Sequence, residues 1–273
     1  MFGKLLKYEM KSNGRALFPI YCAGVGGALL LRLAGLLLGK IFPEVSGTIE
    51  NFLSMPVWIY AIAVVVFSLG YVILRFYRSM VGREAYLTLT LPVGNTLHLA
   101  AKYISAIIFG LLGFAAAVLT VLAFTFRGAS EFEVIKMIFA QYGSFSWLVV
   151  AAVLLFLMYF LMEAFLSCAV GGQTKNKAAG SLISYFVINN AVGLLMIGIF
   201  VGIGFIINKS NPGWLTDVMD KLTLVETDPA LAVSRLSGFL WAVIGVFAAY
   251  CLIVTTTEFL AARYLMNKKV NLD

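Results

Sequence analysis

The chain has 273 residues, 62% of them hydrophobic and only 12% charged, with a formal net charge of +7 and a mean hydropathy of +0.97. Soluble domains are about 45–50% apolar and about 25% charged, so this composition excludes a chain that covers itself in water. Short loops between long apolar stretches use nearly the whole length, leaving no room for a separate soluble catalytic domain.

A membrane-spanning helix needs ~20 apolar residues to cross ~30 Å of hydrocarbon. Six stretches qualify: Ala16–Leu38, Leu53–Leu74, Tyr103–Thr125, Trp147–Val170, Gly180–Ile207 and Gly238–Ala262. They predict an all-α membrane protein with a single transmembrane domain over residues 1–273. The fifth stretch is long enough to tilt, or to break near its glycines.

Ahead of the first span, residues 1–15 show helical periodicity. At 100° per residue Lys4, Lys7 and Lys11 form one stripe and Phe2, Leu5 and Leu6 lie opposite. That pattern predicts an amphipathic helix lying on the membrane surface, its basic side toward anionic lipid headgroups. Glu9 falls on the apolar side. Either the helix merely orients the first span, or Glu9 and its neighbours meet a cytoplasmic protein.

Arg32 lies toward the outer end of span one, where its side chain can snorkel to the headgroups. The nearby Gly35-Leu-Leu-Leu-Gly39-Lys40-Ile41 has one spacer too few for a P-loop and lacks the Ser/Thr that would hold magnesium. It reads instead as a small-xxx-small packing face, like Gly198-Ile-Phe-Val-Gly202 in span five. Nothing in the sequence equips this chain to hydrolyse ATP.

Residues 75–102 form the longest loop on the basic side. Arg75, Arg78 and Arg83 lead in, Glu84 and Tyr86 follow, and Pro92 with Gly94 forces a turn. Asn95 or Thr96 can then cap a helix entering span three. A short helix ending in an extended turn fits this stretch, and a loop so apolar should dock on something, either the inner helix ends or a partner. His98, the single histidine, fits a polar position on a short cytoplasmic helix.

Glu163 and Glu258 lie toward the inner ends of spans four and six. Ionisable residues within spans are functional candidates by default. Glu163 suits a polar patch in an inner vestibule or a pair with Arg75, and Glu258 can reach Arg263 or the interface. Asn189 and Asn190 sit mid-span in the fifth helix beside Tyr185; they either line a substrate path or hydrogen-bond between helices. The outer loop 208–237 carries Pro212 and Trp214, which suggest a short interfacial helix or a solvated loop with a tryptophan anchor. Cys22, Cys168 and Cys251 all lie in spans, so no disulfide framework is expected, and no Cys/His cluster could hold a metal.

Charge sets the orientation. Thirteen of the twenty Lys and Arg residues lie in the N-terminal segment, the even-numbered connections and the C-terminal segment, with only Glu9, Glu84 and Asp273 against them. The alternate loops hold six bases and eight acids. The positive-inside rule then puts both termini in the cytoplasm of a multi-pass protein. The basic balance reflects this asymmetry, and no nucleic-acid partner is expected.

The run Gly82-Arg-Glu84-Ala-Tyr86-Leu87-Thr-Leu-Thr90-Leu91-Pro92-Val93 resembles the first cytoplasmic loop of type-2 ABC transporter permeases, notably the small six-span ones of Firmicutes. The opening Phe2-Gly3-Lys4-Leu5-Leu6-Lys7-Tyr8-Glu9 and the closing Tyr264-Leu-Met-Asn-Lys268-Lys269-Val-Asn271-Leu272 are similar to that family's ends. Ala85 departs from the pattern, standing where glycine is expected. The resemblance implies an exporter permease in a bacterial plasma membrane. Two such subunits, identical or paralogous, would pair, each contacting a separate ATPase subunit that carries the ATP and magnesium. It makes residues 1–15 a connecting helix and the loop a coupling helix, with Arg83, Glu84, Tyr86, Leu87, Leu91 and Pro92 at the ATPase contact and Glu9 adding a polar one. It also implies short re-entrant helices in the 208–237 loop.

The apolar, aromatic spans then suggest an amphipathic cargo such as a peptide, an antibiotic or a lipid-like compound. Glu163, Tyr185, Asn189 and Asn190 are the candidates for its path. Two rival readings remain: an ion-driven secondary transporter coupled through Glu163 or Glu258, and a non-transporting immunity or scaffold protein of the membrane.

Overall fold

A computed structural model describes residues 2–82, 84, 85, 94–125, 136, 143–210, 212–214, 216–219 and 229–268. Among these, six long helices account for nearly everything: α1 (Phe2–Ile41), α2 (Ser46–Met80), α3 (Asn95–Thr125), α4 (Ser144–Gly171), α5 (Lys177–Ser210) and α6 (Pro229–Lys268). All six contain a stretch long and apolar enough to cross a membrane. No strand occurs among the described residues. The chain is thus an all-α, multi-pass membrane protein. It divides into two compact units, Met1–Gly128 with Leu265–Asp273, and Ala129–Tyr264.

In the first unit α1, α2 and α3 pack against one another in all three pairings. The buried side of α1 is Asn13, Gly14, Leu17, Tyr21, Gly24, Ala28 and Gly35, a three-and-four spacing that keeps one stripe turned inward. Two of its glycines allow close approach: a β-carbon on Gly14 would press on the Phe18 ring, and one on Gly24 would run into Tyr60. The Tyr60 hydroxyl crosses α1 there to donate to the Ile20 carbonyl at 2.5 Å. A 3-10 turn, Pro43–Val45, joins α1 to α2, tightened by Ser46 Oγ donating to the Pro43 carbonyl at 2.9 Å.

Residues 2–15 do not form a separate surface helix. They continue into the first span as one 40-residue helix, roughly 60 Å long at 1.5 Å per residue. Nothing at the junction stops it, since Asn13 and Gly14 are both helical and buried. Pro19, inside the helix, is a residue that membrane helices tolerate when neighbouring groups satisfy the freed carbonyl.

Helix α3 begins at Asn95, with Leu97 and His98 N–H groups donating to the Gly94 carbonyl at 2.9 and 3.3 Å. The Asn95 side chain, expected as a cap, reaches instead to the Met266 carbonyl at 3.2 Å. It thereby satisfies one of the orphan acceptors in the last turn of α6.

In the second unit α4 packs on α5, and a short connection turns the chain between them. Thr174 Oγ1 lies 2.7 Å from the Gly171 carbonyl, while Asn176 Oδ1 accepts from the Ala179 N–H at 3.3 Å at the head of α5. Helix α5 runs unbroken from Lys177 to Ser210, so its glycines do not interrupt it. Apart from its α4 side it is widely exposed, with Leu182, Ile183, Phe186, Val187, Leu194 and Leu195 all facing outward. Such a surface is stable in lipid and would not be in water.

Candidate functional site

Two polar constellations stand out against the apolar packing. The first lies in the first unit, at the end of the bundle that bears Arg75, Arg78 and Lys102. Lys102 Nζ donates to Glu9 Oε1 at 2.6 Å, and Arg75 Nη2 lies 3.4 Å from Glu9 Oε2. The three side chains are 7%, 14% and 26% exposed respectively. One carboxylate therefore ties together α1, the end of α2 and the start of α3. A turn further on, Asn13 Nδ2 donates to Ser105 Oγ at 2.8 Å in a buried contact.

These pairs share a register. Glu9 meets Lys102, Asn13 meets Ser105, and Arg32 meets Phe124, so α1 and α3 run parallel with an almost constant offset. Between them, the Tyr21 hydroxyl lies 3.0 Å from Ser68 Oγ on α2 and 3.2 Å from the Phe109 carbonyl. Polar contacts thus recur along the whole bundle. The sequence signal was the i, i+4 pair Glu9/Asn13 and the run His98, Lys102, Ser105, each on one helical face.

Glu9, expected at a partner contact, is held by Arg75 and Lys102. Arg75, a candidate partner for Glu163 in the sequence, pairs with Glu9. His98 is buried in the first turn of α3, with both ring nitrogens lacking a hydrogen-bond partner among the described residues. Arg32 does not snorkel: its Nη1 donates at 2.8 Å to the Phe124 carbonyl in the last turn of α3, a cation placed where a helix C-terminus favours one.

Of the proposed coupling residues, Glu84 sits exposed in a turn after α2, its N–H donating to the Arg78 carbonyl at 3.3 Å. Ala85 beside it is buried. Arg83, Tyr86, Leu87, Leu91 and Pro92 lie outside the described residues. In the connection after α5, Asp217 N–H donates to the Gly213 carbonyl at 3.0 Å, and Gly213 has φ of +104°, which glycine adopts without steric penalty. Trp214 packs against Phe239 with ring centroids 6.1 Å apart.

The second constellation belongs to the second unit and joins α4, α5 and α6. Glu163 on α4 is fully buried and Glu258 on α6 is 4% exposed. The two are close enough to interact electrostatically. Asn189 Nδ2 on α5 donates to Glu163 Oε2 at 3.4 Å, and Tyr159, one turn earlier on α4, lies beside Glu163 as well. Tyr250, on α6 near Glu258, also feels both carboxyl groups, while its hydroxyl donates to the Val192 carbonyl of α5 at 2.5 Å.

Even so, Glu163 Oε1 and both Glu258 oxygens have no hydrogen-bond partner among the described residues. Glu258, expected to reach Arg263 or the interface, is buried instead. Tyr185 senses Glu163 and packs edge-on against Phe160 with centroids 6.3 Å apart. Asn190 stays out of the group, its Nδ2 donating to the Phe186 carbonyl of its own helix at 2.7 Å. Tyr159 and Tyr250 were not among the sequence candidates. Tyr159 was findable, lying four residues before Glu163 on one helical face.

Comparison of the chain with protein-family models, curated proteins and solved structures finds no match.

Proposed function

We propose that this chain is the membrane-spanning subunit of an ATP-driven exporter of the ABC type. It would work as a pair of six-helix subunits in a bacterial plasma membrane, both termini in the cytoplasm, each driven by a separate ATPase that binds ATP and magnesium. The observation that carries the reading is the Glu9 junction. The resemblance assigns ATPase contact to residues 1–15 and to the loop after α2, and Glu9 with Arg75 and Lys102 fastens those regions together.

A driven permease needs such a joint. A partner can shift a conformational equilibrium only through contacts that differ between the two states. A stiff end transmits that difference into the helices, whereas a loose one absorbs it. Helix α1, continuous from Phe2 to Ile41, carries displacement from the joint along the whole bundle. The resemblance gives Arg83, Glu84, Tyr86, Leu87, Leu91 and Pro92 the contact with the ATPase.

The test is whether the adjacent reading frame encodes a P-loop ATPase that copurifies with this chain, followed by reconstitution of the two in proteoliposomes. Glu84→Arg should lower cargo-stimulated ATP hydrolysis by about tenfold, the scale of one misplaced interfacial charge, without unfolding the spans as read by circular dichroism. Full stimulation in that variant, or export by the purified chain alone on an ion gradient, overturns the reading.

A second reading, an ion-coupled secondary transporter, is favoured by the Glu163–Glu258 pair, because acids buried between spanning helices are common seats of ion coupling. It is separated from the first by the same proteoliposomes without the ATPase.

A further inference from the structure

We propose that Glu163 and Glu258 form a binding site for the primary ammonium head of a long-chain amine that enters from the exposed side of α5. As a site for exported cargo this rests on the permease reading. As a binding site it stands on the second unit alone.

Three oxygens carry the argument: Glu163 Oε1 and both oxygens of Glu258, buried and without a hydrogen-bond partner among the described residues. Buried polar groups are nearly always satisfied, and leaving one bare costs more than making the bond gains. Two buried carboxyl groups, with no basic side chain paired to either among the described residues, are destabilising for the protein by itself. A cation that brings its own donors removes that cost. A primary ammonium has three N–H donors, and the unpaired oxygens of the two acids offer it acceptors.

The surroundings favour an organic cation. Tyr159, Tyr185 and Tyr250 all lie near Glu163, so the acids sit among aromatic residues. Among the described residues no group of three or more His, Cys, Asp and Glu side chains is placed to hold a metal ion.

A route of entry is also present. Asn189 is exposed on α5, yet its amide bonds the buried Glu163. Around it Phe186, Val187 and Leu194 present an apolar surface. An alkyl chain lying along that surface brings its charged head to Asn189 first, and displacement of the long 3.4 Å contact opens Glu163 to it. The head then exchanges headgroup hydration for carboxylate oxygens while the chain never leaves an apolar environment.

The experiment uses the whole purified chain in phosphatidylcholine nanodiscs, without ATPase, and a diazirine-bearing hexadecylamine as photoprobe. Labelling should map to α5 around Asn189 and to the facing part of α4. Excess hexadecylamine should suppress it, and hexadecanol should not. Glu163→Gln with Glu258→Gln should cut specific labelling about tenfold or more, as expected for removing the partners of a buried charge. If that double variant misfolds, either single exchange, Glu163→Gln or Glu258→Gln, should still reduce labelling several-fold.

Equal competition by hexadecanol, or undiminished labelling in the folded variants, would reduce the site to ordinary lipid contact and overturn the proposal. Displacement by sodium chloride but not by choline chloride would assign the acids to an inorganic cation and overturn it equally. With no ATPase present, failure here leaves the permease reading standing. Failure of ATPase coupling with amine capture intact sinks only that reading.

Discussion

Lys102 reaches across from α3 to hold Glu9 of α1 at 2.6 Å, and only 7% of its side chain meets solvent. A lysine so placed depends on its acid, because a buried charge left alone costs far more than the pair gains. Glu9→Ala should therefore destabilise the protein by about 3–5 kcal/mol. Glu9→Ala combined with Lys102→Met should recover most of that loss. Denaturant unfolding of the four proteins in detergent gives the coupling directly as a double-mutant cycle. A stable single variant with no coupling would mean that the junction does not join the helices.

Arg32 closes the other end of the same pair of helices through the Phe124 carbonyl. Hydrogen bonds from charged groups contribute about 1.5–3 kcal/mol, so Arg32→Met should cost roughly 2 kcal/mol and loosen the end of α3. Hydrogen exchange should quicken in residues 121–125 and stay unchanged in α4. Arg32→Lys, lacking the planar fork, should recover part of the loss. Uniform exchange across α3 in the methionine variant would contradict this role.

The six spans were legible because lipid imposes one requirement, a long apolar run, that leaves little room for alternatives. The ends of the helices were not. Lys4, Lys7 and Lys11 read as a surface stripe, yet the stripe that decides the fold is Glu9 and Asn13, whose partners lie about ninety residues away. Only the parallel register of α1 and α3 reveals it. Asn189 was read as a polar group that either lines a path or bonds between helices, and the structure gives it an interhelical bond to Glu163. Glu258 was misdirected toward Arg263 because sequence distance favoured a local pair, while helix packing buries the side chain. Arg83, Tyr86, Leu87, Leu91 and Pro92 rest on the resemblance alone.

The glycines offer a sharper contrast. A β-carbon on Gly24 collides with the Tyr60 ring, whereas one on Gly198 meets nothing within 4 Å. Gly24→Ala should cost about 1–3 kcal/mol, the usual scale of overpacking, and should disturb the Tyr60 hydroxyl bond to Ile20. Gly198→Ala should be neutral or stabilising by up to about 1 kcal/mol, since alanine is the better helix former. Thermal unfolding in detergent separates the two. Equal effects would show that Tyr60 does not press on α1.

Orientation is testable without knowing the cargo. The charge count puts the α1–α2 turn outside and the α4–α5 connection inside. Glu44 and Lys175 are exposed in those two segments. With Cys22, Cys168 and Cys251 replaced, Glu44→Cys should react with a membrane-impermeant maleimide on intact cells. Lys175→Cys should react only after permeabilisation. The opposite pattern would invert the protein, move the Glu9 junction to the outer face, and remove the physical basis for a cytoplasmic ATPase acting on it.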